Sequence, residues 1–372
     1  MLTRRSFLVA PVAAVVACGR RKGSGYEGYA FVSNQEGQAV AAVDLMTFTV
    51  ARYIHLESAP TAVVAPAARA SVYALTPATG YVHEIDAAKL TLRRRVQVGR
   101  TADAVGVAPG DRPALWVLCR QPRQLVRIGF DAFKADAVIP LPFEPYDFDF
   151  APDGETAVVS FGESGQFGIV DLAKRKCRVY DLGRKLSLAR FRSDGRQLLI
   201  AGAEEPVLSI VDFKTGRLVV HLPLAVRAQN FCFKSDGGQL FITGDGLDAV
   251  AVVYPYTTEV AQTALAGRSP GFMAECLAEG VDYLFVANAD ASEVTILDVD
   301  TLKVVAVVAV GRSPVFIVQT PDRQYALVLN RDSGDMAVVR LAAIGGKRSR
   351  SAPLFTMIPV GSKPVCAAVR HV

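Results

Sequence analysis

VTILDVDTLKVVAVVAVGRSPVFIVQTPDRQYALVLN, residues 294 to 330, alternates apolar runs with short polar turns. The first run ends at Asp298, the second reaches Val310, and the third opens at Pro314 and is closed by a Pro-Asp turn. Apolar runs of this length between turn residues predict a strand, a hairpin, a second strand, a tight turn and a third strand.

The same pattern recurs along the chain with a nearly constant period. The residues that open the equivalent of the third run are Pro60, Ala102, Pro145, Ser187, Gln229, Pro270, Pro314 and Pro364, at intervals of 42, 43, 42, 42, 41, 44 and 50 residues. A period slightly above 40 residues that is filled by four short strands, with no helical periodicity, is typical of a propeller blade.

The segment from Val294 to Val318 resembles the repeat of the YVTN-type β-propeller family. Weaker copies lie at Ile169 to Gly183, Ile210 to Leu224 and Val250 to Pro270, so the resemblance extends over roughly residues 29 to 372. It implies an architecture and carries no active site with it. A WD40 propeller fits less well, because the chain has a single Trp.

The number of blades follows from the eight repeat positions, which enclose seven complete blades. Outside them, Tyr29 to Glu57 predicts three strands and Val365 to Arg370 predicts one. Together these form an eighth blade that pairs the N-terminal and C-terminal strands and leaves no open edge in the ring. We therefore expect an all-β fold, an eight-bladed β-propeller of four-stranded antiparallel blades over residues 29–372, with seven blades as the alternative.

The N-terminus carries a separate signal, which we assign to residues 1–17. The segment from Thr3 to Leu8 contains Arg4-Arg5 and resembles a twin-arginine export signal, and the apolar run that follows is too short to span a bilayer. Val15-Val16-Ala17-Cys18 resembles a bacterial lipobox, which implies that Cys18 is lipidated. An ordinary signal peptide with an incidental Cys is the alternative.

Residues 18–28 form a linker next to the predicted lipid. Arg20, Arg21 and Lys22 would lie beside anionic headgroups, where each charge adds roughly 1 kcal/mol of attraction. We expect an exported lipoprotein, periplasmic or on the cell surface, that is anchored to a bacterial membrane. Processing at Cys18 would remove Arg4 and Arg5 and leave a side-chain charge of about +3, which is too small to indicate nucleic acid as a partner.

The residues that usually carry catalysis or metal binding are sparse. Besides Cys18 the chain has five Cys residues without CxxC spacing, which are expected to be buried apolar residues rather than disulfides or ligands. The four His residues are expected on second, third or fourth strands, away from the axis. No nucleophile elbow, phosphate loop, metalloprotease motif or dinucleotide fingerprint occurs. The sequence predicts no catalytic residue, no metal and no cofactor.

One set of charges stands out by position, at the connection into the first strand of each blade. Five consecutive blades and one further blade have a cation there, and the six rim cations are Arg100, Arg184, Arg227, Arg268, Arg312 and Lys363. Cations around the mouth of a funnel suit an anionic ligand, and Arg binds carboxylate or phosphate with two hydrogen bonds. Alternatively, acids in the hairpins on the same face neutralise these cations blade by blade.

Polar residues also interrupt first strands that are otherwise apolar. These funnel polar residues are Asp103, Asp147, Asp149, Arg190, Gln229 and Asn230. They are candidates either for ligand contacts or for the solvated wall of a channel. The extra length of the last interval falls near Ala342 to Ala352, in a hairpin on the opposite face with three cations, which is either a partner contact or a tolerated insertion.

Two classes of function remain. The first is a non-enzymatic binding or scaffold protein, expected to be a monomer, that holds a protein, a saccharide or a small anionic ligand at the funnel face. The second is an enzyme or cofactor-handling propeller, of the lactonase type or of the type of the haem d1 domain of nitrite reductases. The lack of a convergent set of His, Cys or carboxylate residues favours the first class.

Overall fold

The computed structural model describes residues 25–110, 113–344 and 352–372, and these form eight four-stranded antiparallel sheets. The predicted all-β class and the count of eight blades are confirmed, and the seven-bladed alternative is excluded. No described residue belongs to a helix that is long and apolar enough to cross a bilayer. The predicted signal, Cys18 and most of the linker lie outside the described residues.

The strands follow the predicted order. The chain begins with β1 (Gly28–Asn34), β2 (Ala39–Asp44) and β3 (Thr49–His55), which belong to blade 8. Blade 1 contains β4 (Ala62–Val64), β5 (Ser71–Thr76), β6 (Tyr81–Asp86) and β7 (Thr91–Gln97). Blade 2 contains β8 (Thr101–Val107), β9 (Leu115–Gln121), β10 (Gln124–Gly129) and β11 (Lys134–Pro140). Blade 3 contains β12 (Asp147–Phe150), β13 (Thr156–Ser160), β14 (Gln166–Asp171) and β15 (Lys176–Asp181).

The second half of the ring repeats this arrangement. Blade 4 contains β16 (Leu186–Phe191), β17 (Gln197–Gly202), β18 (Val207–Asp212) and β19 (Leu218–Pro223). Blade 5 contains β20 (Arg227–Phe233), β21 (Leu240–Asp245), β22 (Ala249–Tyr254) and β23 (Glu259–Leu265). Blade 6 contains β24 (Pro270–Ala278), β25 (Val281–Asn288), β26 (Glu293–Asp298) and β27 (Val304–Ala309). Blade 7 contains β28 (Pro314–Gln319), β29 (Tyr325–Asn330), β30 (Asp335–Arg340) and β31 (Leu354–Pro359), and β32 (Pro364–His371) returns to blade 8.

Ring closure depends on the pairing of the two ends of the chain. In blade 8 the strand order is β3-β2-β1-β32, and β1 pairs with β32 antiparallel from Gly28 opposite His371 to Asn34 opposite Pro364. The predicted three-plus-one blade is therefore confirmed. The other seven sheets each contain four consecutive strands, and in every blade the first strand is innermost and the fourth is outermost.

The core lies between the blades rather than at the centre of the ring. Each of the eight junctions between neighbouring blades contains its own cluster of buried apolar side chains. At the junction of blades 6 and 7, for example, Phe285 and Ile296 cluster with Val328 and Val339. The second and third strands read as apolar runs because both of their faces are covered by neighbouring blades.

Asp residues at the ends of third strands shape the hairpins that lead to the outermost strands. Asp86 Oδ1 accepts hydrogen bonds from the amides of Ala88 and Lys89, and Asp298 Oδ1 accepts one from Thr301. This is the Asx turn expected of an Asp that starts a tight turn. In the blades whose third strand ends in Asp, the local sequence therefore determines where the chain turns back toward the outermost strand.

The long last interval does fall between the third and fourth strands of blade 7, where a short 3₁₀ turn, Leu341–Ala343, precedes residues outside the described part. The prediction that all four His lie away from first strands is wrong for His371, because β32 continues to it and pairs it with Gly28.

Candidate functional site

All six rim cations lie where a fourth strand leads into the next innermost strand. Arg100, Arg184, Arg268, Arg312 and Lys363 precede β8, β16, β24, β28 and β32, and Arg227 is the first residue of β20. The blades repeat the same strand order around one ring, so these positions share one face of the propeller. The six rim cations therefore occupy equivalent positions in their blades.

Three of the rim cations are paired with an acid from the hairpin between the second and third strands of their own blade. Arg184 Nη1 lies 2.5 Å from Glu205 Oε2, and Lys363 Nζ lies 2.5 Å from Glu36 Oε1. Arg227 forms an ion pair with Asp245. Neutralisation blade by blade, the alternative raised by the sequence, therefore applies to blades 4, 5 and 8.

The other three rim cations have no acid partner among the described residues. The Arg312 guanidinium donates to the backbone oxygen of Asp332 at 3.3 Å. The side chains of Arg100 and Arg268 form no hydrogen bond or ion pair within the described chain, and both are exposed. Uncompensated positive charge thus remains on blade 2 and on the neighbouring blades 6 and 7.

The backbone around Arg268 is held in place on both sides. We call residues 267–270 the rim turn. The Gly267 amide donates to Asn288 Oδ1 at 3.1 Å, and the Ser269 amide donates to Asp248 Oδ1 at 2.9 Å. The amide of Ala289 donates to the carbonyl of Ser269 at 3.1 Å. The rim turn is therefore fixed by three hydrogen bonds, while the guanidinium between them stays free.

Asn288 is the buried centre of this arrangement. Its side chain is fully buried, and its Nδ2 donates to Thr295 Oγ1 at 2.8 Å while its oxygen accepts from Gly267. A Cβ at Gly267 would lie 2.6 Å from the Asn288 side chain and 2.5 Å from Glu293 Oε1. Only Gly fits at this approach, which explains why the turn sequence begins with Gly.

Arg268 lines a cavity of about 810 Å³ at the mouth of blades 5, 6 and 7. We call it the rim cavity. Gln229 and Asn230, two of the funnel polar residues, line the same cavity, and Phe272 contributes an apolar wall. The structure thus brings together one rim cation and two funnel polar residues that lie about 40 positions apart in the sequence.

Three acids also line the rim cavity, and they differ in availability. Asp245 is paired with Arg227, and Asp248 accepts the amide of Ser269. Asp290 is exposed and has no hydrogen bond or ion pair within the described chain. The cavity therefore offers one free cation together with carboxylate oxygens that accept hydrogen bonds, which suits a ligand with an anionic group and several donors.

Another cavity, of about 590 Å³, lies between blades 2 and 3 and is lined by turn residues of both blades. Its two cations are both paired: Lys174 Nζ lies 3.0 Å from Asp171 Oδ2, and Arg127 Nη1 lies 2.5 Å from Asp136 Oδ2. Among the described residues that line this cavity, no cation is free in the way that Arg268 is.

The remaining funnel polar residues contact the protein itself. Asp147 Oδ2 accepts the amide of Ala189 at 3.0 Å and pairs with Arg190, and Asp149 Oδ2 accepts the amide of Phe191 at 2.8 Å. These contacts join blade 3 to blade 4. Burial raises the pKa of the Asp149 carboxyl above its usual range, against the lowering effect of Arg190.

Asp103, the sixth funnel polar residue, accepts a hydrogen bond from Arg120 Nε at 3.1 Å. Arg120 belongs to β9 of the same blade, and it also lies 3.4 Å from Glu144 Oε1 at the entrance to blade 3. Asp103 is therefore engaged in a local ion pair and does not line the rim cavity.

The five described Cys residues are all free thiols. Cys232, Cys276 and Cys366 lie on innermost strands, and burial raises the pKa of each thiol above its usual range. A buried thiol with a raised pKa is a poor nucleophile. Within the described ranges, no three His, Cys, Asp or Glu side chains converge to hold a metal ion.

The His residues do not meet one another or the rim cavity. His83 lies in β6 and is fully buried, where desolvation lowers its pKa, and His221 lies in the outermost strand β19. His371 Nδ1 lies 2.5 Å from the backbone oxygen of Glu27, at the far end of β32 from the rim. His55 ends the outermost strand β3.

Sequence reasoning missed Asn288, which positions the rim turn. A recurring signal was available, because Asn34, Asn288 and Asn330 each end the second strand of blades 8, 6 and 7. All three are buried, and Asn34 Nδ2 donates to the carbonyl of Val360, just before β32, at 2.7 Å. In blades 8 and 6 the Asn side chain thus holds the connection into the innermost strand, whereas Asn330 donates to Asp335 Oδ1 in the third strand of blade 7 at 2.6 Å.

Solved structures with the same fold differ widely from the chain in sequence. The dihydro-heme d1 dehydrogenase NirN in complex with DHE matches with a TM-score of 0.75 at 16% identity, covering 93% of this chain and 75% of that one. Kuenenia stuttgartiensis hydrazine synthase matches with a TM-score of 0.55 at 19% identity, covering 86% and 93%. A functionally unknown protein from Desulfotomaculum acetoxidans DSM 771 matches with a TM-score of 0.60 at 10% identity, covering 92% and 99%.

No protein family and no curated protein matches the chain. At identities below 20% the structural likenesses establish the propeller architecture, and the function of each neighbour remains a property of that neighbour.

Proposed function

We propose that this chain is an exported, membrane-anchored β-propeller of the YVTN repeat type that binds a small anionic ligand, best an acidic saccharide, in the rim cavity. The observation that carries the proposal is Arg268, an exposed guanidinium without an acid partner in the described chain, at the wall of a cavity of about 810 Å³. A volume between about 300 and 1,000 Å³ is typical of small-molecule sites.

The rim turn supports this role because it holds the position of Arg268 before any ligand arrives. Its hydrogen bonds to Asn288 and Asp248 are made without the guanidinium. A binding group on an ordered backbone loses less conformational freedom on binding, which favours affinity. Arg also makes paired hydrogen bonds to a carboxylate, and these fix the orientation of the ligand.

The other lining groups narrow the class of ligand. Asp290 and the amide side chains of Gln229 and Asn230 suit hydroxyl groups, which donate and accept hydrogen bonds. Phe272 provides an apolar face on the same wall, half-buried against Phe316 with ring centroids 4.6 Å apart. A sugar acid combines an anionic group, several hydroxyls and apolar C–H faces, and it matches this set better than a simple inorganic anion.

A binding role without chemistry is favoured by the residue types at this site. The described lining of the rim cavity contains no His, Cys, Lys or Tyr that would serve as a general base or an activated nucleophile. Its acids are exposed or already hydrogen-bonded to neighbours. A lactonase-like hydrolase therefore remains the less favoured alternative.

Export and anchoring rest on the N-terminal sequence, which lies outside the described residues. The arginine pair followed by a short apolar run and Cys18 supports a lipid-anchored protein outside the cytoplasm. The chain leads from this segment into blade 8, where the Tyr26 amide donates to the carbonyl of Leu45 at 3.0 Å. The N-terminal segment would therefore join the ring at blade 8, the blade that pairs the two ends of the chain.

Handling of a tetrapyrrole is the second candidate, supported by the likeness to NirN, which was solved in complex with DHE. The residues of the rim cavity fit a haem poorly, because no His, Met or Cys that could ligate iron is among its described lining. A site for such a group would need ligands from another part of this chain or from another protein.

The test is a thermal-shift screen on the chain, with glucuronate, galacturonate, phosphate, neutral sugars and lactones. We expect acidic sugars to raise Tm and neutral sugars to have little effect, with about 2.7 kcal/mol of stabilisation when the ligand concentration is 100 times Kd. Arg268→Ala should abolish the shift without lowering Tm of the free protein, since Arg268 is exposed and unpaired.

Arg100→Ala is the matched control, because Arg100 holds the equivalent position at the entrance to blade 2 and is likewise exposed and unpaired within the described chain, but it does not line the rim cavity. It should retain the response to acidic sugars. Equal loss in both variants, or a response that survives Arg268→Ala, would contradict the proposed site. Absorbance of the same samples after incubation with haem tests the second candidate, and a bound Soret band would favour it.

A further inference from the structure

The outermost strand of blade 6 differs from all other outermost strands of the ring. Natural sheets protect exposed edges with charged residues or proline. The other seven outermost strands each contain at least one such residue: Arg52 in β3, Arg94 in β7, Lys134 in β11, Arg178 in β15, Pro223 in β19, Glu259 in β23 and Pro359 in β31. β27, with the sequence VVAVVA, contains none.

The side chains of β27 are also unusually exposed for their type. Val304, Val305 and Val307 are 46%, 38% and 54% exposed, whereas Val308 points inward and is buried. β27 pairs with β26 on one side only, so the backbone N–H and C=O groups of its other edge face outward without a strand partner. Val has high strand propensity, so the edge is ready to accept another strand.

We propose that a second copy of this chain pairs with β27 through its own β27, antiparallel about a two-fold axis. Such pairing joins blade 6 of both copies into one continuous eight-stranded sheet. Each Val or Ala then meets a Val or Ala of the copy, so no charge within the strand is brought opposite a like charge. A symmetric contact of this kind is closed and ends at the dimer.

The surroundings of β27 fit the same partner. A strand of six residues is about 20 Å long, which by itself buries far less than the roughly 800 Å² per partner of a standard interface. The neighbouring outermost strands extend the apolar surface, because Leu265 at the end of β23 is 78% exposed and Met357 in β31 is 40% exposed. The interface therefore has apolar surface on both sides of its central strand.

The opposite half of the ring is unsuited to a second copy. The outermost strands of blades 8, 1, 2 and 3 contain seven cations and two acids, namely Arg52, Arg93, Arg94, Arg95, Lys134, Lys176 and Arg178 with Asp136 and Asp181. Arg93, Arg94 and Arg95 are paired with Glu84 or Glu57, but an excess of positive charge remains on the other strands of this half. Two such surfaces would repel each other. In the other half of the ring β19, β27 and β31 contain no charged residue, and of these only β27 also lacks proline. We therefore place self-association at blade 6, in place of the monomer expected from the sequence.

The test is sedimentation analysis of the full chain carrying Cys18→Ser, which prevents lipid attachment. We expect a concentration-dependent equilibrium between monomer and dimer, shifted at least tenfold toward monomer by Val307→Lys. Val179→Lys in β15 is the matched control, since Val179 is an exposed Val on an outermost strand of the charged half, and it should leave the equilibrium unchanged. Circular dichroism of both variants should match the parent.

A second variant tests the two-fold geometry directly. Ala306→Cys places a thiol near the centre of β27, close to the expected axis, and mild oxidation should link two copies through it, while Ala135→Cys in β11 should not form that link. A chain that stays monomeric at high concentration would overturn the proposal. Open-ended aggregates, or dimers that persist in Val307→Lys, would overturn it as well.

Discussion

Asp147 of blade 3 reaches across to blade 4, where its Oδ2 accepts a hydrogen bond from the amide of Ala189 at 3.0 Å. The innermost strand β16 pairs with β17 on one side, so the amide of Ala189 faces the axis side without a strand partner. Gln319 makes an equivalent contact between blades 7 and 6. Its Oε1 accepts a hydrogen bond from the amide of Leu277, and its Nε2 donates one to the carbonyl of Leu277. Side chains thus close strand edges that would otherwise be open near the axis.

Asp147→Ala should weaken the joint between blades 3 and 4. It leaves the amide of Ala189 and the guanidinium of Arg190 without their carboxylate, and a buried donor without a partner costs about 1–3 kcal/mol. Urea unfolding measures the loss in the free energy of unfolding, which should appear as a lower midpoint with an unchanged m-value. Asp103→Ala is the control, because Asp103 pairs with an Arg of its own blade, and an equal cost in both variants would contradict the role of the joint.

Asp149→Asn should change how stability depends on pH. Burial raises the pKa of Asp149, so between the unfolded and the folded pKa the folded state binds the proton more tightly, and stability falls as pH rises through this range. The variant removes this loss, so its stability relative to the parent should be greater at pH 7 than at pH 3.5. Urea midpoints at both pH values give the answer.

Asp194→Asn is the reference variant, because its effect on stability should depend on pH in the opposite direction. A hydrogen bond from Arg192 lowers the pKa of Asp194, so its contribution is present above the unfolded pKa and is lost as pH falls through the folded one. This variant should lose stability at pH 7 and less at low pH. If the two variants responded to pH in the same direction, the assignment for Asp149 would be wrong.

Gly267→Ala should disturb the rim turn and with it the ligand site. The added methyl would lie 2.6 Å from the Asn288 side chain, so the hydrogen bond between them must break or shift. We expect a lower Tm and loss of the response to acidic sugars, as for Arg268→Ala. Gly37→Ala, where the nearest atom lies 3.5 Å away, is the control and should retain both properties.

Removal of the last eight residues, Val365 to Val372, should open the ring. β1 would lose its partner on one side over nearly its whole length. An exposed strand edge promotes association between chains, so the truncated protein should appear largely in the insoluble fraction. Removal of Val372 alone, which lies beyond β32, should have no such effect. A soluble truncated chain with unchanged Tm would show that closure by β32 is dispensable.

Cys18→Ser should release the protein from its membrane if Cys18 carries the lipid. The variant is expected in the soluble periplasmic or culture fraction, while the parent partitions with membranes. Replacing Arg4 and Arg5 by Lys tests the export signal separately and should retain the protein in the cytoplasm. Membrane association that persists in Cys18→Ser would contradict the anchor.

The ring could be read from the sequence because each blade repeats its own local signals. Pro270 and Pro314 open innermost strands as predicted, and the apolar runs between them match the buried second and third strands. Closure by β1 and β32 followed from counting strands at the two ends. These features depend on neighbours in the sequence or on a fixed period, which a single chain displays directly.

The state of the rim cations could not be read in the same way. Arg184 and Arg268 occupy equivalent positions and both have acids in the hairpin of their blade, yet Glu205 reaches Arg184, while Glu293 lies against Gly267 and forms no ion pair with Arg268 in the described chain. The difference lies in hairpin geometry of a few ångströms. Asp147 likewise reads as a funnel residue until the neighbouring strand edge is known.

The strand order of blade 8 also determines how the protein resists a pull on its N-terminus. β1 lies inside its sheet, bonded to β2 along one edge and to β32 along the other. A force applied through residue 25 along the strand must therefore shear two ladders of hydrogen bonds at once, rather than peel a single edge strand. A propeller attached through the segment before β1 would therefore resist mechanical load at blade 8, where its first and last strands pair.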